Sequence, residues 1–308
     1  VIKEGAEAQT AVREQQRSTL SRHRLSRHER FSQISPDVGR LDEGAFDRAL
    51  SEEPEEAIAL LADLTSATDR TLAAQARRLA GRLVLDLARS GKASGRGVGR
   101  LVSAPADRVN GDLDVDASIE PLLLANATRT APALDDLRVR AWKRPATAIC
   151  LVVDRSGSMH GARLVTACVI AAGSAWRAPD DYGVVAFADD AWVLKSIDAP
   201  RPAEVVVQDV LRLRGHGVTD LALGLRSARQ QLERTRAARR ITLLLSDCRP
   251  TTGEDPTGAA RGLDELMVFA PLGDSEDAAA LAAAAGGRCT EIGSPFDAPA
   301  AMARLFDR

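Results

Sequence analysis

Ala148-Ile149-Cys150-Leu151-Val152-Val153-Asp154-Arg155-Ser156-Gly157-Ser158 is the stretch whose reading decides the fold. Six apolar residues closing on a carboxylate describe a strand buried on both faces, as in the interior of a parallel sheet. Such a strand delivers the residues after it to the carboxyl edge of the sheet, where open α/β folds bind their ligands. Here those residues supply one carboxylate and two hydroxyls at alternating positions, Asp154, Ser156 and Ser158. All three are hard oxygen donors, a set suited to Mg²⁺ or Mn²⁺ rather than to zinc or copper.

Downstream, helix and strand patterns alternate. Residues 162–176 read as an alanine-rich helix, and 182–187 and 191–195 as two strands joined by a turn at Asp189-Asp190. Helices are expected over 202–213, 221–234, 256–262 and 275–285, and strands over 241–246, 266–270 and 289–292. This order predicts an α/β fold, a doubly wound and largely parallel sheet with helices on both faces. Two connections bring further oxygens to the same edge. Thr219 lies in the glycine-punctuated turn Gly215-His216-Gly217-Val218-Thr219-Asp220, and Asp247 closes the apolar run Ile241-Thr242-Leu243-Leu244-Leu245-Ser246.

D-x-S-x-S, a threonine in a glycine turn and an aspartate after a later strand, in this order, resemble a von Willebrand factor A domain with its metal-ion-dependent adhesion site. The resemblance covers roughly the second half of the chain. It implies that Asp154, Ser156, Ser158, Thr219 and Asp247 form the ligand set of a Mg²⁺ ion, with Mn²⁺ as a substitute. Mg²⁺ takes six oxygens in near-octahedral geometry, so the hydroxyls can bind directly and the carboxylates directly or through water. One position stays open, and the resemblance implies that an Asp or Glu of a protein partner fills it. One departure stands out: many relatives carry glycine after the third-loop aspartate, and here it is Cys248. That change is expected to alter the loop backbone while removing no ligand oxygen.

Asp180-Asp181-Tyr182-Gly183-Val184-Val185-Ala186-Phe187 and Gly217-Val218-Thr219-Asp220-Leu221-Ala222 look most like the bacterial branch that includes magnesium- and cobalt-chelatase subunits and CoxE-like proteins. That likeness implies a MoxR-type AAA+ ATPase as partner and work in assembling, remodelling or metallating a client protein. Two rival readings stand beside it. A chelatase-type subunit would act in metal insertion into a tetrapyrrole, although the ATPase-like region and acidic, proline-rich linker of the larger chelatase subunit are not apparent. A secreted adhesin would use the same site on an extracellular ligand. The chain itself is not expected to be an enzyme: Gly91-Lys92 lacks the surroundings of a phosphate loop, and the site lacks the extra carboxylates of two-metal chemistry. His160 and His216, each close to a proposed ligand, are read as rim residues open to a part in partner recognition.

The first half reads differently. The division expected is a mainly helical region over 1–136, with a glycine-rich basic break at 91–99, followed by the metal-binding domain over 137–308. Ser51 before Glu52, Glu53, Pro54, Glu55 and Glu56 signals a helix start. Leu72, Ala76, Leu79, Leu83 and Leu87 recur at helical spacing and require a partner surface. The near-repeat Ser21-Arg22-His23-Arg24 and Ser26-Arg27-His28-Glu29-Arg30 reads as a solvated basic face. Asp112, Asp114 and Asp116 alternate as in a calcium loop, but Ala117 and Leu123 stand where that loop needs glycine and glutamate. Residues 137–141 alternate apolar and charged, which predicts a half-exposed strand at the entrance to the metal-binding domain.

With 41 basic against 43 acidic side chains, the chain lacks the positive excess of a general nucleic-acid binder. No apolar run is long enough to span a bilayer. Its four cysteines, Cys150, Cys168, Cys248 and Cys289, form no C-x-x-C pair, so a reduced, cytoplasmic setting is expected.

Overall fold

The computed structural model describes residues 1–15, 19–90, 100–107, 111–143, 146–156, 161–215 and 217–306. The chain opens with a short strand, β1 (Ile2–Glu4), and six helices: α1 (Ala6–Gln15), α2 (Arg22–Leu25), α3 (Phe31–Ile34), α4 (Glu43–Glu52), α5 (Pro54–Leu64) and α6 (Arg70–Ser90). Next come β2 (Arg100–Pro105), β3 (Asp112–Leu113), α7 (Val115–Thr128) and β4 (Arg138–Lys143). The α/β alternation follows as β5 (Thr147–Asp154), α8 (Ala162–Arg177), β6 (Tyr182–Phe187), β7 (Ala191–Lys195), α9 (Ala203–Val210) and α10 (Leu221–Leu232). It ends with β8 (Arg239–Leu245), α11 (Pro256–Arg261), β9 (Glu265–Pro271), α12 (Glu276–Ala284), β10 (Arg288–Ile292) and α13 (Ala298–Phe306). No helix among the described residues is long and apolar enough to cross a membrane.

Seven strands form one sheet in the order β1-β7-β6-β5-β8-β9-β10. Strand β5 lies parallel to both β6 and β8, while β7 is antiparallel to β6 across the expected Asp189-Asp190 turn. Along β5, Ile149, Leu151 and Val153 enter one core and Ala148, Cys150 and Val152 the other, the period of two of a strand covered on both faces. The chain leaves β5 for β6 on one side and later returns to β8 on the other. Their carboxyl ends therefore flank a topological switch point, the crevice in which such sheets bind ligands.

Two compact units divide the chain: Val1–Ala93 together with Thr147–Arg308, and Ser94–Ala146. The boundary read at 136/137 is thus not where the units part, because the N-terminal helices share a core with the sheet. Every residue of α8 from 164 to 175 is buried, and a helix apolar all round must be covered on both sides. The sheet lies against it together with α9 and α13, and α5 and α6 complete its cover, with Leu72, Ala76 and Leu79 of α6 buried in the same cluster as Ile149 and Leu151. Strand β1 extends the sheet by pairing parallel to β7, Ile2 opposite Ala191. The mainly helical reading of the N-terminus did not include it, since three residues carry no legible period.

Local signals in this region shift by a turn. Ser51 closes α4, its hydroxyl donating to the Asp47 carbonyl at 2.9 Å, and α5 starts at Pro54 after Glu53. Glu55 and Glu56 fall in the first turn of α5, at the positive end of its dipole. The basic near-repeat meets the chain's own acceptors: Arg30 pairs with Glu52 and Glu53, both at 2.7 Å, and Arg22 donates to the Ser35 carbonyl at 2.8 Å.

The second unit is a three-stranded antiparallel sheet in the order β2-β4-β3 with α7 following β3. Strand β4 covers residues 138–141 of the strand expected over 137–141, but it belongs to this small sheet. The alternating aspartates have structural work: Asp114 caps α7 through the Ala117 amide, and Arg140 pairs with Asp114 at 3.3 Å and Asp116 at 3.1 Å.

Candidate metal and partner-binding site

Asp154 ends β5 at the switch point and is only 3% exposed. Its Oδ1 accepts from the Ser156 amide at 2.8 Å and its Oδ2 from the Ser246 hydroxyl at 2.7 Å. Among the described residues it forms no ion pair. Burial pushes its pKa above the ordinary carboxylate range, aided by the charge of Asp247 and opposed by the hydrogen bonds from Ser156 and Ser246. A carboxylate placed in this way is costly as an anion unless a cation is supplied beside it.

The other two loops meet at the same edge. Asp247 follows β8, half-buried, and lines the same cavity as Asp154. Thr219, 3% exposed, donates its amide to the Thr251 hydroxyl at 2.8 Å and accepts at its carbonyl from the Thr251 and Thr252 amides at 3.1 and 3.3 Å. Those contacts knit the second loop to the third. Asp220 donates its amide to the Ala188 carbonyl at 2.8 Å and caps α10 by accepting from the Leu223 amide at 2.9 Å, which fixes the helix just after Thr219. Ser156 stands half-buried after Asp154. Ser158, His160 and His216 lie outside the described residues. The structure therefore brings Asp154, Ser156, Thr219 and Asp247 to one sheet edge.

The donors are two carboxylates with hydroxyls. Among the described residues no three His, Cys, Asp or Glu side chains gather as a metal-binding group; the donors named here are all oxygens, the kind that suit a hard divalent ion. Cys248 has φ +61°, the left-handed region that glycine adopts freely. Cysteine therefore stands here in a conformation that costs a residue with a Cβ roughly 1 kcal/mol. The Cys248 amide holds the turn by donating to the Ser246 hydroxyl at 3.0 Å.

Behind the first loop lies a network that sequence reading did not find. Arg155 is 1% exposed, stacks 3.8 Å from the centroid of the Trp192 ring and pairs with Asp190. Asp190 also accepts from Lys3 at 2.7 Å and from the Trp192 indole at 2.8 Å. Burial alone would raise the Asp190 pKa; the hydrogen bonds from Lys3 and Trp192 and the charge of Arg155 outweigh it and hold the carboxyl below its usual range. Strand β1 is thereby tied to the loop that carries Asp154 and Ser156. Ser246, whose hydroxyl donates to Asp154, is likewise not evident from the sequence, where it reads only as the end of a strand. The one available signal was a hydroxyl directly before the aspartate.

A cavity of about 340 Å³ opens beside Asp154 and Asp247. Its far wall comes from the ends of β9 and β10, and Arg163 of α8 and Glu55 of α5 also line it.

Residues 149–250, about a third of the chain, match the family model described as the von Willebrand factor type A domain. Together with the sheet and its edge, the match defines this part of the chain as a domain of that type. No curated protein sequence matches the chain significantly. Among solved structures, it is similar to the PilB minor pilin from Streptococcus sanguinis at 13% identity and a TM-score of 0.42, covering 55% of this chain and 62% of that one. It therefore spans less than two thirds of the pilin's length. It is similar to a von Willebrand factor type A protein from Catenulispora acidiphila at 19% identity and a TM-score of 0.39, covering 54% of this chain and 43% of that one. A third likeness is to the conserved hypothetical protein BatB from Bacteroides thetaiotaomicron, at 14% identity and a TM-score of 0.39, covering 52% and 96% of the two chains.

Proposed function

We propose that this chain is a Mg²⁺-dependent protein-binding module in which Asp154, Ser156, Ser158, Thr219 and Asp247 hold the cation and a partner's Asp or Glu completes its shell. The observation that carries the reading is Asp154: a carboxylate 3% exposed, without an ion pair among the described residues, beside Asp247 at a topological switch point. When bound, the cation supplies positive charge at Asp154, which forms no ion pair among the described residues. The chain's own residues orient the donors: Ser246 holds one Asp154 oxygen, the Ser156 amide the other, and Thr251 fixes the backbone of Thr219. Binding rather than catalysis is the proposed activity, and the proposed setting is the cytoplasm, in keeping with four free thiols.

The proposed partner is a MoxR-type AAA+ ATPase, with the pair acting in assembly, remodelling or metal insertion of a client. The likeness of residues 180–187 and 217–222 to the chelatase and CoxE-like branch supports this choice. The test is a pull-down of a purified MoxR-type ATPase by the full chain in Mg²⁺ and in EDTA, with Asp247→Asn alongside. Capture in Mg²⁺ alone, lost in the variant, is expected. Capture indifferent to EDTA would put the docking surface elsewhere.

A further inference from the structure

The cavity beside the metal edge says more about what docks there, and this inference rests on the metal reading above. We infer that the partner presents a short acidic segment in which a large aliphatic side chain sits next to the metal-binding carboxylate, the aliphatic group entering the cavity and a second acidic group facing Arg163. At about 340 Å³ the cavity falls at the lower end of the size range of ligand pockets, too small for a folded element but suited to side chains.

Its lining is polarised. Asp154 and Asp247 form the pole that takes the cation, while Leu272 and Ile292 form an apolar wall opposite. The Leu272 amide donates to the Ile292 carbonyl at 3.1 Å, and its side chain lies over Gly293, where an added Cβ would come within 3.1 Å of Leu272 Cδ2. Leu272 is nevertheless 68% exposed. An exposed leucine braced at the lip of a cavity is apolar surface that a docked aliphatic group would remove from water.

Charge on the rim supplies the rest. Arg163, in the first turn of α8, is exposed and makes no ion pair or hydrogen bond with a described residue; neither does Glu55 across the rim. A guanidinium with no partner among the described residues, beside the cation pole, calls for a second carboxylate, which it can bind in bidentate fashion. Glu55 repels negative charge arriving from the side of α5. The rim thus complements a short acidic stretch with an apolar side chain and disfavours an extended polyanion such as a nucleic acid.

The test is selection of displayed random 12-residue peptides on the full chain in Mg²⁺, followed by fluorescence polarisation with synthetic copies of the enriched sequences. Enriched peptides should pair Asp or Glu with a nearby Leu, Ile or Met, and should lose binding in EDTA. Leu272→Ser and Arg163→Ala should each weaken peptide binding by about tenfold, while Mg²⁺ affinity by calorimetry stays within about threefold. Peptides that need Mg²⁺ but carry no large aliphatic residue, or that bind Leu272→Ser as well as the native chain, would overturn the inference and leave the metal reading standing. Binding indifferent to EDTA would overturn both, and failure to enrich any peptide counts against the inference.

Discussion

Replacing Asp190 by Asn should destabilise the protein by about 3 kcal/mol, whereas the same change at the adjacent Asp189 should cost less than about 1 kcal/mol. The difference follows from what each carboxylate faces. Arg155 is 1% exposed with its guanidinium against Trp192, and Asp190, 17% exposed, compensates that buried charge while also accepting from Lys3 and the indole. Removing one partner of a buried ion pair leaves the other charge inadequately matched, which costs ~3–5 kcal/mol. The lower end applies because the Asn oxygen still accepts a hydrogen bond and Asp189 lies 3.8 Å from Arg155. Asp189 itself is 64% exposed, so water screens its share. Urea unfolding followed by tryptophan fluorescence measures both variants against the native chain. Equal losses at the two positions, or a loss below about 1 kcal/mol for Asp190→Asn, would refute the assignment of Asp190 as the compensating charge.

Gly224→Ala in α10 would place a Cβ 2.7 Å from Cγ of the fully buried Phe187, so overpacking of ~1–3 kcal/mol should exceed the ~1 kcal/mol gain in helix propensity; a melting temperature above that of the native chain would contradict this packing. Cys248→Gly exchanges relief of left-handed backbone strain for a lost buried side chain, so denaturant unfolding should shift by less than about 1 kcal/mol. The Glu4 carboxyl is held below its unfolded pKa of 4.5 chiefly by its hydrogen bond with Arg234. Its contribution is therefore present above pH 4.5 and is lost as pH falls through 4.5 and then through the lower folded value. Amide exchange in β1 should accelerate across that window in the native chain and lack this pH step in Glu4→Gln.

Legibility in the sequence followed the range of the interactions. Strands such as β5 and β8 announce themselves because both faces are buried, which leaves uninterrupted apolar runs ending in Asp154 and Asp247. The hairpin of β6 and β7 is local, and Asp189-Asp190 marks it. Strand β1 is different: three residues gain their identity from β7, far along the chain, and from Lys3 reaching Asp190. The sharing of one core by the N-terminal helices and the sheet was written less openly, in the all-round apolarity of α8, which α5 and α6 help to cover together with α9 and α13. Of the site, ligand types and order were readable as a motif. Ser246, Arg155 and the positions of Glu55 and Arg163 on the cavity were not, because each depends on which loops the sheet order sets side by side.

The central claim is that a divalent cation answers the buried charge of Asp154, and Mg²⁺ titration of chelator-stripped protein tests it most directly. Calorimetry should show saturable binding to the native chain, and melting in Mg²⁺ at about 100 times the dissociation constant should report roughly 2.7 kcal/mol of added stability. Asp154→Asn removes a charge whose burial is unfavourable without the ion, so that variant should melt, metal-free, no lower than the native chain, yet should neither bind Mg²⁺ nor respond to it. A native chain whose melting is unchanged by Mg²⁺, or an Asp154→Asn variant that still binds it with native affinity, would contradict the account.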